Sequence, residues 1–249
     1  MNTIYTHRSI RSFSPEPIPE VLFNKIIEGA CRASNTGNMQ LYSIIASTEQ
    51  SIKDELCERA HFNQKMVKEA PLVLTFCADL QRFTQWCNLR NADPGYNNFL
   101  SFYTATVDTV IAAQNACVAA EAEGLGICYL GTTNYCADAI IEILNLPELV
   151  VPVTTVVVGF PAEKPEQTDR LPHSAIVHSE KYKKLSNQEV IDQYSFKENS
   201  EIYHKFVKES NVSNLAEVFT KKRYTKENNV LFSEKLLQTL KKQNFLNND

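Results

Sequence analysis

Residues 98–131 read NFLSFYTATVDTVIAAQNACVAAEAEGLGICYLG. From Asn98 to Glu123 the run holds neither Pro nor Gly and is rich in Ala, so it predicts one long helix. Gly124 ends that helix as a C-terminal cap, because glycine enters the left-handed backbone region without strain. The small side chains Ala105, Ala112, Ala113, Ala116, Ala119 and Ala120 let another helix come close, and they make this helix a candidate dimer element. The stretch Thr104–Ala120 carries Asp108, Gln114 and Asn115, too polar and too short to span a bilayer. Past the cap, Ile127–Leu130 predicts a short strand closed by Gly131.

Working outward, Cys136–Leu144 reads as a short helix stopped by Pro147. Val150–Phe160 (VVPVTTVVVGF) is the strongest strand signal of the chain, and its near-continuous Val/Thr run fits burial on both faces. Upstream, residues 41–48 and 72–78 read as strands, with short helices at Ser51–Arg59 and Asn63–Glu69 between them. Pro19 suits the first position of a helix running to about Ala33, on which Val21, Leu22, Ile26 and Ile27 recur at helical spacing. Residues 81–97 read as less regular, ending in a turn at Asp93-Pro94-Gly95. After Phe160 the chain turns polar and helical, and from about Asn187 it reads as an appended arm of amphipathic helices.

The whole chain has 249 residues with 25 Lys+Arg against 29 Asp+Glu, a mildly acidic balance that removes the electrostatic case for nucleic acid or an anionic membrane surface. Residues 1–162 carry 10 basic and 16 acidic side chains, the remainder 15 and 13. Seven glycines and no GxGxxG or GxxxxGK[ST] string exclude a glycine-rich nucleotide loop, so any phosphate site must be built from side chains. Seven cysteines without a CxxC pair read as buried small hydrophobes in a reducing compartment rather than a disulfide or zinc framework. The opening residues lack an apolar export core, and a cytoplasmic protein is expected. His61, His173, His178 and His204 show no metal-ligand spacing and read as packing or surface residues.

Four polar islands remain. His7-Arg8-Ser9-Ile10-Arg11-Ser12-Phe13 offers two guanidiniums, two hydroxyls and an imidazole without an acidic residue, the donor inventory of a phosphate dianion site. Ser34-Asn35-Thr36-Gly37-Asn38-Met39-Gln40 offers amides on a turn-prone backbone, suited to the edge of a heteroaromatic ring. Tyr129–Asn134 joins a strand end to turn residues whose backbone N–H groups could meet a ligand. In Thr168-Asp169-Arg170-Leu171-Pro172 a lone Arg precedes a rigid Pro. The basic run Lys221-Lys222-Arg223 reads as a solvated helix face.

Together these strings resemble the nitroreductase family of FMN-dependent oxidoreductases, in particular its NADPH-dependent nitroreductase and flavin reductase group. HRSIRSF near the start, the loop ending in Met39-Gln40, FCAD at 76–79, residues 107–131, and GFPAEKPEQTDRLP with IVH within 159–178 carry the likeness. It implies an α+β fold with a central, mainly antiparallel sheet flanked by helices and a C-terminal helical extension. Residues 1–186 would form the FMN-binding domain and 187–249 the extension of that same domain. It implies a homodimer with FMN in clefts at the subunit interface, NADPH or NADH as electron donor, and ping-pong reduction of nitroaromatic, quinone or flavin-type small-molecule acceptors. A non-catalytic flavin-binding or regulatory protein of the same fold is the alternative.

By the same likeness His7, Arg8, Ser9 and Arg11 hold the FMN phosphate and ring edge, and Arg11 places positive charge near the pyrimidine end. Asn35 and Gln40 contact the flavin, and Gln64 hydrogen-bonds to it. Leu130 and Gly131 supply backbone beside the ring system, and Arg170 meets the phosphate or ribityl end. Gly37 and Asn38 edge the substrate pocket. No side chain is expected to act as acid or base, and no metal is expected. Two departures stand out: Thr168 occupies the place of a usual Lys, and Asn211-Val212-Ser213-Asn214 replaces the arginines that relatives offer to the 2′-phosphate of NADPH.

Overall fold

A computed structural model describes residues 3–247. They fall into two compact units, one made of the chain up to Gln167 together with the residues from Ser233 on, the other Thr168–Phe232. The first unit begins with a helical turn, α1 (Thr3–Thr6), and continues through α2 (Glu20–Cys31), β1 (Tyr42–Ser47), α3 (Gln50–Glu55), α4 (Lys65–Glu69) and β2 (Leu72–Asp79). There follow α5 (Gln81–Leu89), α6 (Phe99–Ala122), β3 (Gly126–Leu130), α7 (Ala137–Ile143) and β4 (Val150–Gly159).

The four strands form one sheet in the order β1-β2-β4-β3, every neighbouring pair antiparallel. The α+β expectation is met. Successive side chains of a strand point to opposite faces, and both faces here are covered. Val73, Val157, Cys128 and Leu130 pack with Leu56, Val67 and Ile140 on one side. Leu72, Leu74, Phe76, Val156 and Ile127 pack with Ile26 of α2 and Ala113, Ala116 and Ala120 of α6 on the other. That double burial is why β4 is a nearly unbroken Val/Thr run. Pro152 has no N–H to give the ladder, and it sits at the register shift where Phe76 and Cys77 pair with Thr154 and Pro152.

Asn98 caps α6 by accepting from the Ser101 backbone N–H at 3.0 Å, and Gly124 follows its end at φ +83°. The closest helix in the alanine stripe of α6 is α2 of the same chain: a Cβ on Gly29 would lie 2.7 Å from the Ala119 methyl. The structure has a helix, α5, within 81–97, where the sequence predicts a less regular stretch. Trp86 and Leu89 are exposed on it beside Arg82, Gln85 and Asn88, so its apolar residues do not mark out one buried face. Tertiary contacts hold it instead, with Cys87 buried, Phe83 against Trp86 and Tyr96, and Asp79 Oδ1 accepting from the Arg82 backbone N–H.

The second unit contains α8 (Asn187–Glu198), α9 (Glu201–Ser210), α10 (Leu215–Val218) and the first turns of α11 (Lys226–Lys242). Ser186 and Glu189 close a reciprocal capping box at the start of α8. The helices of the expected extension thus divide between the units. The rest of α11 and the residues after it belong to the first, where Leu240 and Phe245 are buried with Ala105, Val151 and Val153.

Candidate active site

The N-terminal arm is an extra edge laid along β3. Ser9 bridges Ile127 in parallel, the Ile10 N–H donates to Ile127 O at 2.9 Å, and Phe13 bridges Pro161. Such close approach requires Gly126, because a Cβ there would come within 2.6 Å of the Ile10 side chain. The Arg11 and Ser12 backbone N–H groups both donate to Glu163 Oε1, at 2.6 and 3.0 Å. His7 is not free: its Nδ1 lies 2.6 Å from Glu121 Oε1.

The two guanidiniums are largely uncommitted. Arg8 donates through one Nη1 contact of 3.3 Å to Thr6 O, and its buried Nε has no partner. Among the described residues the Arg11 guanidinium donates only a long 3.5 Å contact to Ser9 O. Arg8 lines a cleft of about 310 Å³ that also includes Thr6, Glu121, Glu163 and Lys164. Each guanidinium carries five donors in a fixed fork, so most of this donor set is available to a ligand.

The amide loop is held from a distance. Asp108, buried on α6, accepts from the Thr36 backbone N–H at 2.9 and 3.1 Å and from the Thr36 hydroxyl at 3.0 Å. Asn35 Oδ1 accepts from the Gln40 backbone N–H, and Arg82 donates to Gln40 O at 2.6 Å. Gly37, Asn38 and Gln40 all have φ near +56°, the region where Gly and Asn are favoured. The hydrogen bonds of this loop run to α6, to Arg82 and within itself.

At the end of β3, Leu130 is buried and Gly131 is exposed, with nothing within 4 Å of where a Cβ would stand. Thr132 next to it receives two contacts: His61 Nδ1 at 2.7 Å and Gln64 Nε2 at 3.3 Å. Burial pushes the His61 imidazole down to about 4. The structure thus brings Gln64 to the Leu130–Gly131 segment, and β3 carries both that segment and the N-terminal arm.

Arg170 lies in the second unit, where its Nη1 donates to Thr168 Oγ1 at 2.7 Å and to the Thr168 and Asp169 carbonyls. Beside it, Asp169 accepts from Lys197 and Tyr203, both at 2.8 Å. Burial works to raise the Asp169 carboxyl, and the Lys197 and Tyr203 hydrogen bonds outweigh it, so the net direction is down. The Asn211–Asn214 stretch is a turn between α9 and α10. Asn211 takes the left-handed conformation, and Asn214 caps α10 by accepting from the Glu217 N–H.

Asp108, Glu163 and His61 carry no site role in the sequence reading, and Thr132 enters it only within the Tyr129–Asn134 island. A carboxylate inside an alanine-rich helix is the one signal among them that a sequence displays. All seven cysteines are free and six are buried; burial pushes Cys117 up to about 12, far from a reactive thiolate. Among the described residues no His/Cys/Asp/Glu cluster could hold a metal, and no helix is long and apolar enough to cross a membrane.

Residues 4–160 match the nitroreductase family. This chain belongs to that family. It is 35% identical over 184 residues to the FMN reductase (NADPH) of Bacillus subtilis strain 168, covering 73% of this chain and 74% of that one. It is 35% identical over 182 residues to the oxygen-insensitive NADPH nitroreductase of Salmonella typhimurium strain LT2, with the same coverage. A crystal structure of a candidate oxidoreductase from Bacteroides fragilis NCTC 9343 matches with a TM-score of 0.97 and 47% identity, over 99% of this chain and 100% of that one. The family match spans the N-terminal arm, the amide loop, Gln64 and the end of β3, all within the first unit.

Proposed function

We propose that this nitroreductase-family chain is an FMN-dependent NAD(P)H oxidoreductase that reduces nitroaromatic, quinone or flavin-type acceptors. The observation that carries the reading is the pair Arg8 and Arg11, whose forks each give the chain one weak hydrogen bond. The residues fit FMN. The orphaned Arg8 Nε and the free forks suit a phosphate and an electron-rich ring edge, and the open space at Gly131 admits a flat ring against exposed backbone. When bound, FMN supplies the hydride-accepting and hydride-donating centre of a ping-pong exchange between nicotinamide and acceptor.

The chain's own part is to bind and orient. Arg8, Ser9 and Arg11, with the second nitrogen of His7, hold the phosphate and pyrimidine regions. Gln64, Leu130 and Gly131 face the ring system. Asn35 and Gln40 contact the flavin, and Gly37 and Asn38 edge the acceptor pocket. Arg170 keeps the role that the family likeness gives it.

A homodimer with flavin sites shared between subunits is part of the proposal. The support is a stripe of apolar side chains left exposed along α6, Phe99, Leu100, Tyr103, Val107 and Val110, recurring at helical spacing. A cytoplasmic location fits seven free thiols. The test is direct. The purified protein should be a dimer by light scattering, take up FMN, and bleach on addition of NADPH or NADH in the absence of an acceptor. A protein that ignores added FMN would refute the reading, flavin uptake without bleaching would point to the non-catalytic alternative, and a monomer that holds FMN would remove the shared site.

Selectivity for the 2′-phosphate should be modest. The Asn211–Asn214 turn is neutral and its polar groups serve as helix caps. Of the nearby cations, Lys221 is paired with Glu217 at 2.7 Å, Lys205 with Glu209 at 3.8 Å, and Arg223 rests over the Phe206 ring at 4.9 Å. Solvated lysines give weak, salt-screened attraction. The expected preference for NADPH over NADH in kcat/KM is less than about a hundredfold. It should shrink as salt is raised, and a larger preference that salt leaves untouched would reveal an ordered phosphate site.

A further inference from the structure

We infer that Thr132, its hydroxyl engaged by the buried ring of His61, is a positioning residue that fixes which way the Gln64 side-chain amide faces, leaving Gln64 Oε1 as the acceptor offered to the ligand. The inference rests on the flavin reading above and deepens it by assigning a polarity to one contact of that site.

The local fold puts the three groups together. Phe62 and Asn63 both take positive φ, 52° and 56°, and this tight reversal returns the chain so that the Gln64 N–H donates to His61 O at 3.1 Å. The turn is further held by Cys57, whose Sγ donates to Gln64 O at 3.3 Å. His61 and Gln64 therefore leave the same turn and converge on one hydroxyl, at 2.7 and 3.3 Å. That hydroxyl belongs to the residue following Gly131, where the strand ends in open space.

His61 is fully buried, and its Nε2 has no partner. A neutral imidazole offers one donor and one acceptor, and among the described residues the one hydrogen bond of this ring is directed at Thr132. With Gln64 Nε2 set against the Thr132 oxygen at 3.3 Å, two proton arrangements satisfy the trio. Either the Thr132 O–H donates to His61 Nδ1 and its oxygen accepts from Gln64 Nε2, or both nitrogens donate to the same oxygen. In each, the Thr132 oxygen takes a hydrogen from the Gln64 amide. The amide is asymmetric, with NH₂ at one end and a carbonyl at the other. Anchoring the NH₂ on Thr132 leaves Oε1, which accepts no hydrogen bond among the described residues, for an N–H donor such as a ring imide.

The test uses the full chain with Thr132→Val, which keeps the shape and removes the hydroxyl, Thr132→Ser, which restores it, and Gln64→Leu. In FMN titrations followed by fluorescence quenching, Thr132→Val should weaken binding about tenfold, the size of one hydrogen bond. Thr132→Ser should recover most of that loss. In the Gln64→Leu background Thr132→Val should add little, since the group it positions is gone. Equal tenfold losses in both backgrounds would show that Thr132 acts on packing alone and overturn the assignment. A second readout needs no flavin: the Gln64 side-chain amide resonances of the flavin-free protein should be protected from exchange and should move in Thr132→Val. If they exchange like a solvated amide and do not move, the inference fails by itself. Failure of the wild type to bind FMN would instead remove the proposed function and, with it, the ligand side of this assignment.

Discussion

Replacing Arg8 and Arg11 together by Ala is expected to weaken FMN binding by roughly two to four orders of magnitude while leaving the chain folded. Hydrogen bonds to charged groups contribute about 1.5–3 kcal/mol each, and about 1.4 kcal/mol is a factor of ten in affinity. Neither guanidinium holds the arm in place. The arm is anchored by the Ile10 N–H on Ile127, by Glu163 on two backbone N–H groups, and by the buried Ile10 and Phe13 side chains. Thermal melts of the variants should therefore overlay that of the wild type in the absence of flavin. Arg→Lys at either position keeps the charge and loses the planar fork, so it should fall between wild type and Ala. The quantities to measure are the FMN dissociation constant and the flavin content after purification. Full flavin content and a wild-type dissociation constant in the double variant would refute the phosphate assignment of the arm.

The arm shows what a sequence displays and what it withholds. Its donors were legible because Arg, Ser and His are read one at a time, and their clustering needs no fold to be seen. What each donor already does was not legible. Glu163, 152 residues from Arg11, accepts from its backbone, and Glu121, 114 residues from His7, takes up one ring nitrogen. The amide loop repeats the pattern, since its conformation depends on Asp108, 72 residues further along.

The sheet was easier to read for a physical reason. A strand covered on both faces, as β4 is, must be almost wholly apolar, and its ten residues carry only Thr154 and Thr155 as polar side chains. By contrast α5 is held by contacts to residues outside it, so its own polar pattern carries little signal. The stretch after Ser233 looked like more of the arm because amphipathic helices read alike whatever they pack on. Only the buried Phe245 and Leu240 show that it belongs with the first unit.

His61 should make the chain acid-sensitive in a window set by its burial. The folded chain holds the ring neutral down to about pH 4, against an ordinary value of 6.5. Below that ordinary value the unfolded chain takes up a proton that the folded chain refuses, so acid favours unfolding. The stability tied to this ring is complete above 6.5 and is lost progressively as pH falls toward 4. At 1.36 kcal/mol per unit, the loss across the window amounts to about 3 kcal/mol. Carboxylates such as Glu189, held low by the Ser186 backbone N–H and by Lys183, lose their contribution in a lower range and are common to wild type and variant. The comparison that isolates the ring is therefore urea unfolding of wild type and His61→Gln from about pH 7 to about pH 4.5, since a Gln side chain does not titrate. His61→Gln is expected to begin less stable, having lost the fitted ring, and to follow a flatter pH dependence than the wild type. Parallel pH profiles for the two proteins would mean that the imidazole accepts its proton inside the fold, which a fully buried ring hydrogen-bonded to Thr132 should not do.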